Sequence, residues 1–289
     1  MLRLSHRTYA RRKRLSKWYG FCVSVLLLYF HIFKKNEQQH NNTQDYISSG
    51  SCRNQTVPHI SGILETAQYL SLTNHSLVLY GSTEFNLMLG KSNHYQRYSM
   101  ELSHRLRDIF VRKGSSLHIA LPNLPLQQEE TISIFSQRMI PTLRWLRKQV
   151  DCNRQYFSSF IASPYRYSNL LHCELVDLTY KYLRTIWNKK DIIVLQYNNS
   201  ETYSYDVYDN AQTKTIIQAQ SIDTWSQYLS LKQILLAQNP DCIFVLSVGS
   251  TAKVLADDLV SEGRRVIEVG NLAKDFDIFM KTLKKTCSM

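Results

Sequence analysis

No Cys-x-x-Cys pair occurs in this chain, and its nine histidines show neither His-x3-His nor His-Glu-x2-His spacing. A zinc site built on local ligand pairs and a metalloprotease helix are both unsupported. Cysteine is sparse: with Cys22 inside an apolar run, the others are Cys52, Cys152, Cys173, Cys242 and Cys287, an odd number that implies no complete disulfide framework. Cys242 opens a strand and reads as a small buried hydrophobe. The Gly-x-Ser-x-Gly elbow and the Gly-x4-Gly-Lys-Ser/Thr phosphate loop are missing too, which argues against an α/β-hydrolase and a P-loop nucleotidase. Only nine glycines and six prolines punctuate 289 residues, so nothing points to disorder, and 44% hydrophobic content suffices for one large α/β domain or two small ones.

Acidic residues are absent from the first 35 positions, which hold nine of the 35 Lys and Arg. The net charge of +12 therefore belongs mainly to this arm, since the remainder balances 26 basic against 23 acidic residues. A nucleic-acid partner loses its support once the arm is set aside. Residues 1–17 read as a basic cytoplasmic arm and Trp18–Phe33 as a transmembrane signal-anchor. The run is shorter than the roughly 20 apolar residues that span a bilayer comfortably, but Trp18, Tyr19 and Tyr29 suit interfacial depth and Lys34 and Lys35 can snorkel. A cleaved signal peptide is the competing reading, although bulky His31-Ile32-Phe33 offers no small-x-small cleavage site; a third is that the run packs on the domain. The charge bias puts the N-terminus in the cytoplasm and the domain on the outer or lumenal side. Residues 34–58 form a polar tether, and 59–289 the folded domain. Asn-x-Ser/Thr sequons begin at Asn41, Asn54, Asn74 and Asn198, all on the expected outer side.

Beyond the tether, apolar patterns alternate between helical and strand-like. Helices are expected at Ile63–Leu72, Tyr98–Arg112, Gln127–Gln149 (kinked or split by Pro141), Leu170–Trp187, Thr224–Gln238 and Thr251–Ser261. Strands are expected at Ser76–Tyr80, Leu117–Leu121, Phe157–Ala162, Asp191–Leu195, Thr215–Ile217, Cys242–Val248 and Val266–Val269. Continuous apolar strands such as Ile243-Phe244-Val245-Leu246 mark a parallel sheet buried on both faces. The fold class is α/β, Rossmann-like and doubly wound, with a mostly parallel sheet.

In such sheets ligands collect beyond the carboxyl ends of strands. Glu84 falls just past Ser76–Tyr80, after the turn residue Gly81, where an acid could hold a metal or a sugar hydroxyl. Gly249-Ser250-Thr251 joins the strand Cys242–Val248 to the next helix, with Lys253 one turn in. Backbone amides there suit a diphosphate; the same residues equally suit an ordinary helix cap. Asp206, Asp209 and Asn210 sit in a loop with Tyr197, Tyr203, Tyr205 and Tyr208, a composition that fits sugar binding and also fits a surface loop capping the next strand.

The segment Leu79-Tyr80-Gly81-Ser82-Thr83-Glu84, followed by Leu89-Gly90, Tyr95-Gln96, Tyr98 and Glu101-Leu102, resembles the opening of the GT-D fold glycosyltransferases. Their pattern reads Arg-aromatic-Gly-Asp-Gly-Glu, then Gly, Phe-Gln and Tyr. The resemblance extends from about Ile60 to Phe279, through Asp209-Asn210 and Gly249-Ser250-Thr251-Ala252, in the family's order. It implies a nucleotide-sugar donor held by Gly81, Gly249, Ser250, Thr251 and Lys253, a glycan or glycoprotein acceptor, and sugar contacts from Gln96, Asp206, Asp209 and Asn210. It also implies a divalent metal, manganese or magnesium, held by an Asp-x-Glu motif, of which this chain keeps Glu84 but has Ser82 where the aspartate belongs. Leu79 replaces the preceding arginine, Ala162-Ser163-Pro164-Tyr165 stands for Ser-Arg-Pro-Tyr, and Gly270-Asn271-Leu272-Ala273 for Gly-His-Ile-Asp. Asp275, near the family's late acids, is not assigned as a base. Hydrophobic and turn positions are kept while charged ones change. Two functions follow: a membrane-anchored glycosyltransferase, or a catalytically inactive relative that binds glycan or protein at the cell envelope.

Overall fold

The computed structural model describes residues 59–122, 150–151, 153–167, 173–198 and 203–286, with the backbone alone from residue 283. The apolar run Trp18–Phe33, the tether and the helix expected at Gln127–Gln149 lie outside them. Among the described residues no helix is long and apolar enough to cross a membrane.

Seven strands form one sheet: β1 (Ser76–Leu79), β2 (Leu117–Leu121), β3 (Phe157–Ser158), β4 (Asp191–Tyr197), β5 (Thr213–Ala219), β6 (Ile243–Ser247) and β7 (Val266–Glu268). Their order is β3-β2-β1-β7-β6-β4-β5, and every pairing is parallel. Alternate strand residues face opposite sides, so each buried strand feeds two cores. Val78, Ile193, Leu195, Phe244 and Leu246 pack on one side with α2 (Ser82–Met88), α3 (Met100–Val111), α5 (Tyr228–Leu236) and α6 (Thr251–Ser261). Leu77, Leu79, Ile192, Val194, Ile243 and Val245 pack on the other with α1 (Ile63–Leu72), α4 (Cys173–Trp187) and α7 (Leu272–Thr286). Burial of Trp187, Tyr180, Phe244 and Phe279 alone contributes ~2 kcal/mol or more apiece.

Partners set the strand lengths. β3 stops at Ser158 because its neighbour β2 ends at Leu121, opposite it; Ser159–Ala162 then coil into a 3-10 turn, which shortens the strand expected over Phe157–Ala162. Conversely β5 runs seven residues instead of three because all of β4, Asp191 to Tyr197, is available for pairing. The helix expected over Tyr98–Arg112 begins at Met100, with the Ser99 hydroxyl accepting the Leu102 amide, and the segment Thr224–Gln238 splits into a 3-10 turn, Thr224–Gln227, and α5. Helix α7 was not foreseen, although Leu272, Phe276 and Phe279 give it a buried side.

Candidate functional site: a buried charge cluster at the strand ends

The chain runs from β1 to one half of the sheet and returns through β7 to its neighbour, so a crevice opens at the carboxyl ends of β1, β7 and β6. Three charged side chains meet there. Glu84 stands on the first turn of α2 after β1, Lys253 on the first turn of α6 after β6, and Glu268 closes β7. Their relative exposures are 5%, 3% and 2%, so water screens none of them. The Lys253 ammonium donates to Glu268 Oε1 at 2.6 Å and to the Gly249 carbonyl at 3.2 Å, and lies 2.9 Å from Glu84 Oε1. The remaining carboxylate positions are also matched. Glu84 Oε1 accepts the Ser250 hydroxyl at 2.8 Å, Glu84 Oε2 the Gly81 amide at 2.9 Å, and Glu268 Oε2 the Leu79 amide at 2.8 Å.

A buried charge persists only when paired and hydrogen-bonded, and this cluster satisfies both conditions. Burial pushes Glu268 up to about 7, against the opposing pull of Lys253. Burial acts to lower Lys253, but the charges of Glu268 and Glu84 outweigh it, and its ammonium is held above the usual lysine range. Tyr80, buried behind Glu84, is raised by burial and then by the Glu84 and Glu268 charges.

Glycine is required at one turn of the cluster. Gly249 has φ +59, and a Cβ there would stand 2.8 Å from the Tyr197 hydroxyl. Gly81, by contrast, is extended at φ −143 and ψ −165, and its amide caps Glu84 instead. Thr251 is wholly buried, and its hydroxyl finds no partner among the described residues.

Whether these residues fit a divalent ion is decided by the donor set. Glu84 has both oxygens engaged and an ammonium in contact with one; Ser82, at the aspartate position, brings a neutral hydroxyl on a half-buried turn. Among the described residues no three His, Cys, Asp or Glu side chains gather around one point. A divalent cation at Glu84 would face Lys253 at contact distance, so this arrangement does not fit one.

The other expected site residues fall in two places. Gln96 is buried and bridges two loops near the carboxyl end of the sheet: its amide donates to Asp223 Oδ1 at 2.5 Å and its oxygen accepts the Trp225 amide at 3.2 Å. Asp206, Asp209 and Asn210 are elsewhere. The chain after β4 crosses back to the amino end of the sheet before β5 begins, and these residues lie at that end. Asp206 pairs with Lys214 on β5 and Asp209 with Arg184 near the end of α4. Asn210 donates to the Arg184 carbonyl at 2.8 Å, capping α4. Asn210 thus caps the preceding helix rather than the next strand, and the structure does not bring this trio to the cluster. Asp275 is buried and accepts the Tyr165 amide at 2.8 Å and the Tyr180 hydroxyl at 2.7 Å, which ties α7 to the turn at Pro164. Glu268 was missed by sequence reasoning. Its signal was an acid inside Val266–Val269, since a carboxylate in a central buried strand must have a partner.

An all-parallel, doubly wound sheet with helix starts and polar groups gathered at its switch crevice defines the class of α/β proteins that bind ligands at strand carboxyl ends. The chain belongs to the glycosyltransferase GT-D fold family, whose model matches residues 77–289. It is 27% identical over 231 residues to the probable glycosyl transferase Gly of Streptococcus gordonii, covering 76% of this chain and 33% of that protein. It is 26% identical over 236 residues to glycosyltransferase GlyD of Streptococcus pneumoniae serotype 4, covering 80% of this chain and 28% of the relative. The chain thus spans about a third of the length of these relatives. Among solved structures, a glycosyltransferase (DUF1792) from Streptococcus sanguinis superposes with a TM-score of 0.68 at 26% identity, over 78% of this chain and 86% of the other.

Proposed function

We propose that this chain is a membrane-tethered glycosyltransferase that moves a sugar from a nucleotide-sugar donor to a glycan or glycoprotein acceptor. The observation that supports this most is the meeting of Glu84 and Ser250, remote in sequence, at 2.8 Å in the switch crevice of a chain that belongs to a glycosyltransferase fold family. In this reading the donor diphosphate lies against the first turn of α6, where the helix dipole favours an anion, with the Gly249 turn allowing close approach. The Thr251 hydroxyl is the side chain with spare hydrogen-bonding capacity at that turn. Lys253 acts through its charge rather than by direct contact, being committed to Glu84 and Glu268. The anchor is Trp18–Phe33, joined to the domain by the polar tether of residues 34–58, with the N-terminus in the cytoplasm and the domain outside or in the lumen.

A non-catalytic relative that binds glycan or protein is the second reading, favoured by Ser82 in place of an aspartate and by the complete internal satisfaction of Glu84. Donor hydrolysis and nucleotide binding by the full chain in detergent, across a panel of UDP- and GDP-sugars, separate the two. Turnover that Thr251→Val lowers tenfold or more supports the transferase; nucleotide binding without turnover supports the inactive relative, and neither binding nor turnover overturns the donor site.

A further inference from the structure

The cage around Lys253 is made of oxygens from three separate segments: Glu84 Oε1 after β1, Glu268 Oε1 at the end of β7, and the Gly249 carbonyl after β6. Two carboxylates and a carbonyl converging on one buried point are the ligand types that hold hard divalent cations. The spacing, however, is that of an ammonium. The three oxygens stand 2.6, 2.9 and 3.2 Å from Nζ, whereas magnesium draws its oxygens in to about 2.1 Å. An ammonium has three N–H donors, and the cage offers three acceptors. The outer oxygens of both carboxylates are tied to the Gly81 and Leu79 amides, so backbone holds the cage in shape from behind.

We infer that Lys253 is a built-in cation: its ammonium stands between Glu84 and Glu268 where a divalent ion would otherwise be held, and the crevice takes its ligand without a divalent metal. The second half rests on the transferase reading above; the first does not. Chemically, the fixed ammonium beneath the first turn of α6 offsets the carboxyl groups of Glu84 and Glu268, which would otherwise oppose the helix dipole at the place where a diphosphate would lie. Being covalently attached, this charge cannot be lost to a chelator. It is neither consumed nor transferred, so no oxidant, reductant or co-reactant is needed. Ser82 is then consistent with the rest of the site. With an ammonium already balancing Glu84, a second carboxylate beside it would add uncompensated negative charge.

Manganese is the probe. The full chain in detergent, the Lys253→Ala variant and the Lys253→Ala/Glu84→Gln double variant are titrated with MnCl2, free ion being read by electron paramagnetic resonance and folding by thermal melting. The wild type is expected to leave the ion free. Lys253→Ala is expected to bind it, with the melting temperature rising by roughly 5 °C on saturation, and the double variant to lose that gain. Manganese bound by the wild type and released by Glu84→Gln overturns the inference, as does a folded Lys253→Ala that takes up no ion. If Lys253→Ala folds only in manganese, that rescue counts for it, and Lys253→Gln, which keeps two N–H donors without the charge, serves as the soluble comparison, expected to bind the ion at least tenfold better than the wild type. UDP and GDP binding measured in EDTA and in manganese completes the test. Equal affinity in the two supports a metal-free crevice, and affinity that appears only with manganese overturns it. Absence of nucleotide binding in both sinks the transferase reading while leaving the manganese result on the cage intact.

Discussion

The two ends of the sheet solve the same problem in opposite ways. At the carboxyl end, a charge cluster is buried in which one ammonium, Lys253, stands at contact distance from the carboxyl groups of both Glu84 and Glu268. At the amino end, the Tyr69 hydroxyl is shared between His75 Nδ1 at 2.5 Å and His118 Nε2 at 3.1 Å, with the Phe157 ring tilted against it at 4.6 Å, and no carboxylate takes part. Burial, with help from His75 and Arg154, lowers His118 to about 4, so its ring stays neutral near pH 7. One end is held by electrostatic balance and resists removal of any member; the other by neutral hydrogen bonds that resist only protonation.

The comparison is most sharply broken at Lys253. Lys253→Met leaves two buried carboxylates without a counter-charge and is expected to cost ~3–5 kcal/mol by urea unfolding at pH 7; a loss under ~1 kcal/mol would show that the cluster is not electrostatically coupled. Next comes Gly249→Val, which forces a branched side chain into φ +59 and against the Tyr197 hydroxyl, with an expected loss of ~2–4 kcal/mol. Adding Tyr197→Phe removes the nearest contact atom while leaving the backbone strain, so partial recovery is expected in a thermal melt.

Acid titration tests the contrast through its sign. Glu268 rises from 4.5 to about 7 on folding, so the folded state binds its proton more tightly, and this group's stabilisation is complete below pH 4.5 and falls away as pH climbs through about 7. His118 moves the other way, from 6.5 to about 4: the unfolded chain binds the proton first, and stability falls as pH drops across that window. Glu268→Gln should therefore flatten a decline of ~2 kcal/mol toward neutral pH, and His118→Gln should flatten one of ~1 kcal/mol toward acid, the smaller figure reflecting partial exposure. Both are read from denaturant midpoints at stepped pH; slopes of the same sign would dissolve the distinction between the two ends. Smallest of all is Asp209→Asn, which removes an exposed pair with Arg184 and should change stability by ~0.5 kcal/mol or less and leave nucleotide binding unaltered.

Much of this architecture was legible in the residues. Apolar runs located the inner strands, because buried parallel strands leave no alternation to misread, whereas the mostly exposed edge strand β5 was found only over Thr215–Ile217. Glu84 and Ser250 were readable as neighbours from the rule that ligands gather at strand carboxyl ends. What was hidden depends on pairing and direction. Neither the extra length of β5 nor the brevity of β3 is written in its own residues; each is set by the neighbouring strand. Asp206, Asp209 and Asn210 looked like ligand residues by composition, but a parallel sheet obliges the chain to return to the amino end before each new strand, and they lie at the end of that return. Lys253 read as a phosphate ligand because a strand acid, Glu268, went unpaired in the sequence reading. Had its partner been sought, the nearest lysine after a strand end was the candidate.

Gln96 has a consequence for how the crevice rim behaves. Its side chain clasps Asp223, whose backbone is left-handed at φ 52, and the adjoining Trp225, while Thr224 between them hydrogen-bonds Tyr197, the residue that crowds Gly249. The rim is thus a relay of five clasped residues drawn from three segments of chain. The loop at Tyr95, whose carbonyl accepts the Asp223 amide at 2.8 Å, is in this way joined by a run of contacts to the glycine turn that opens α6.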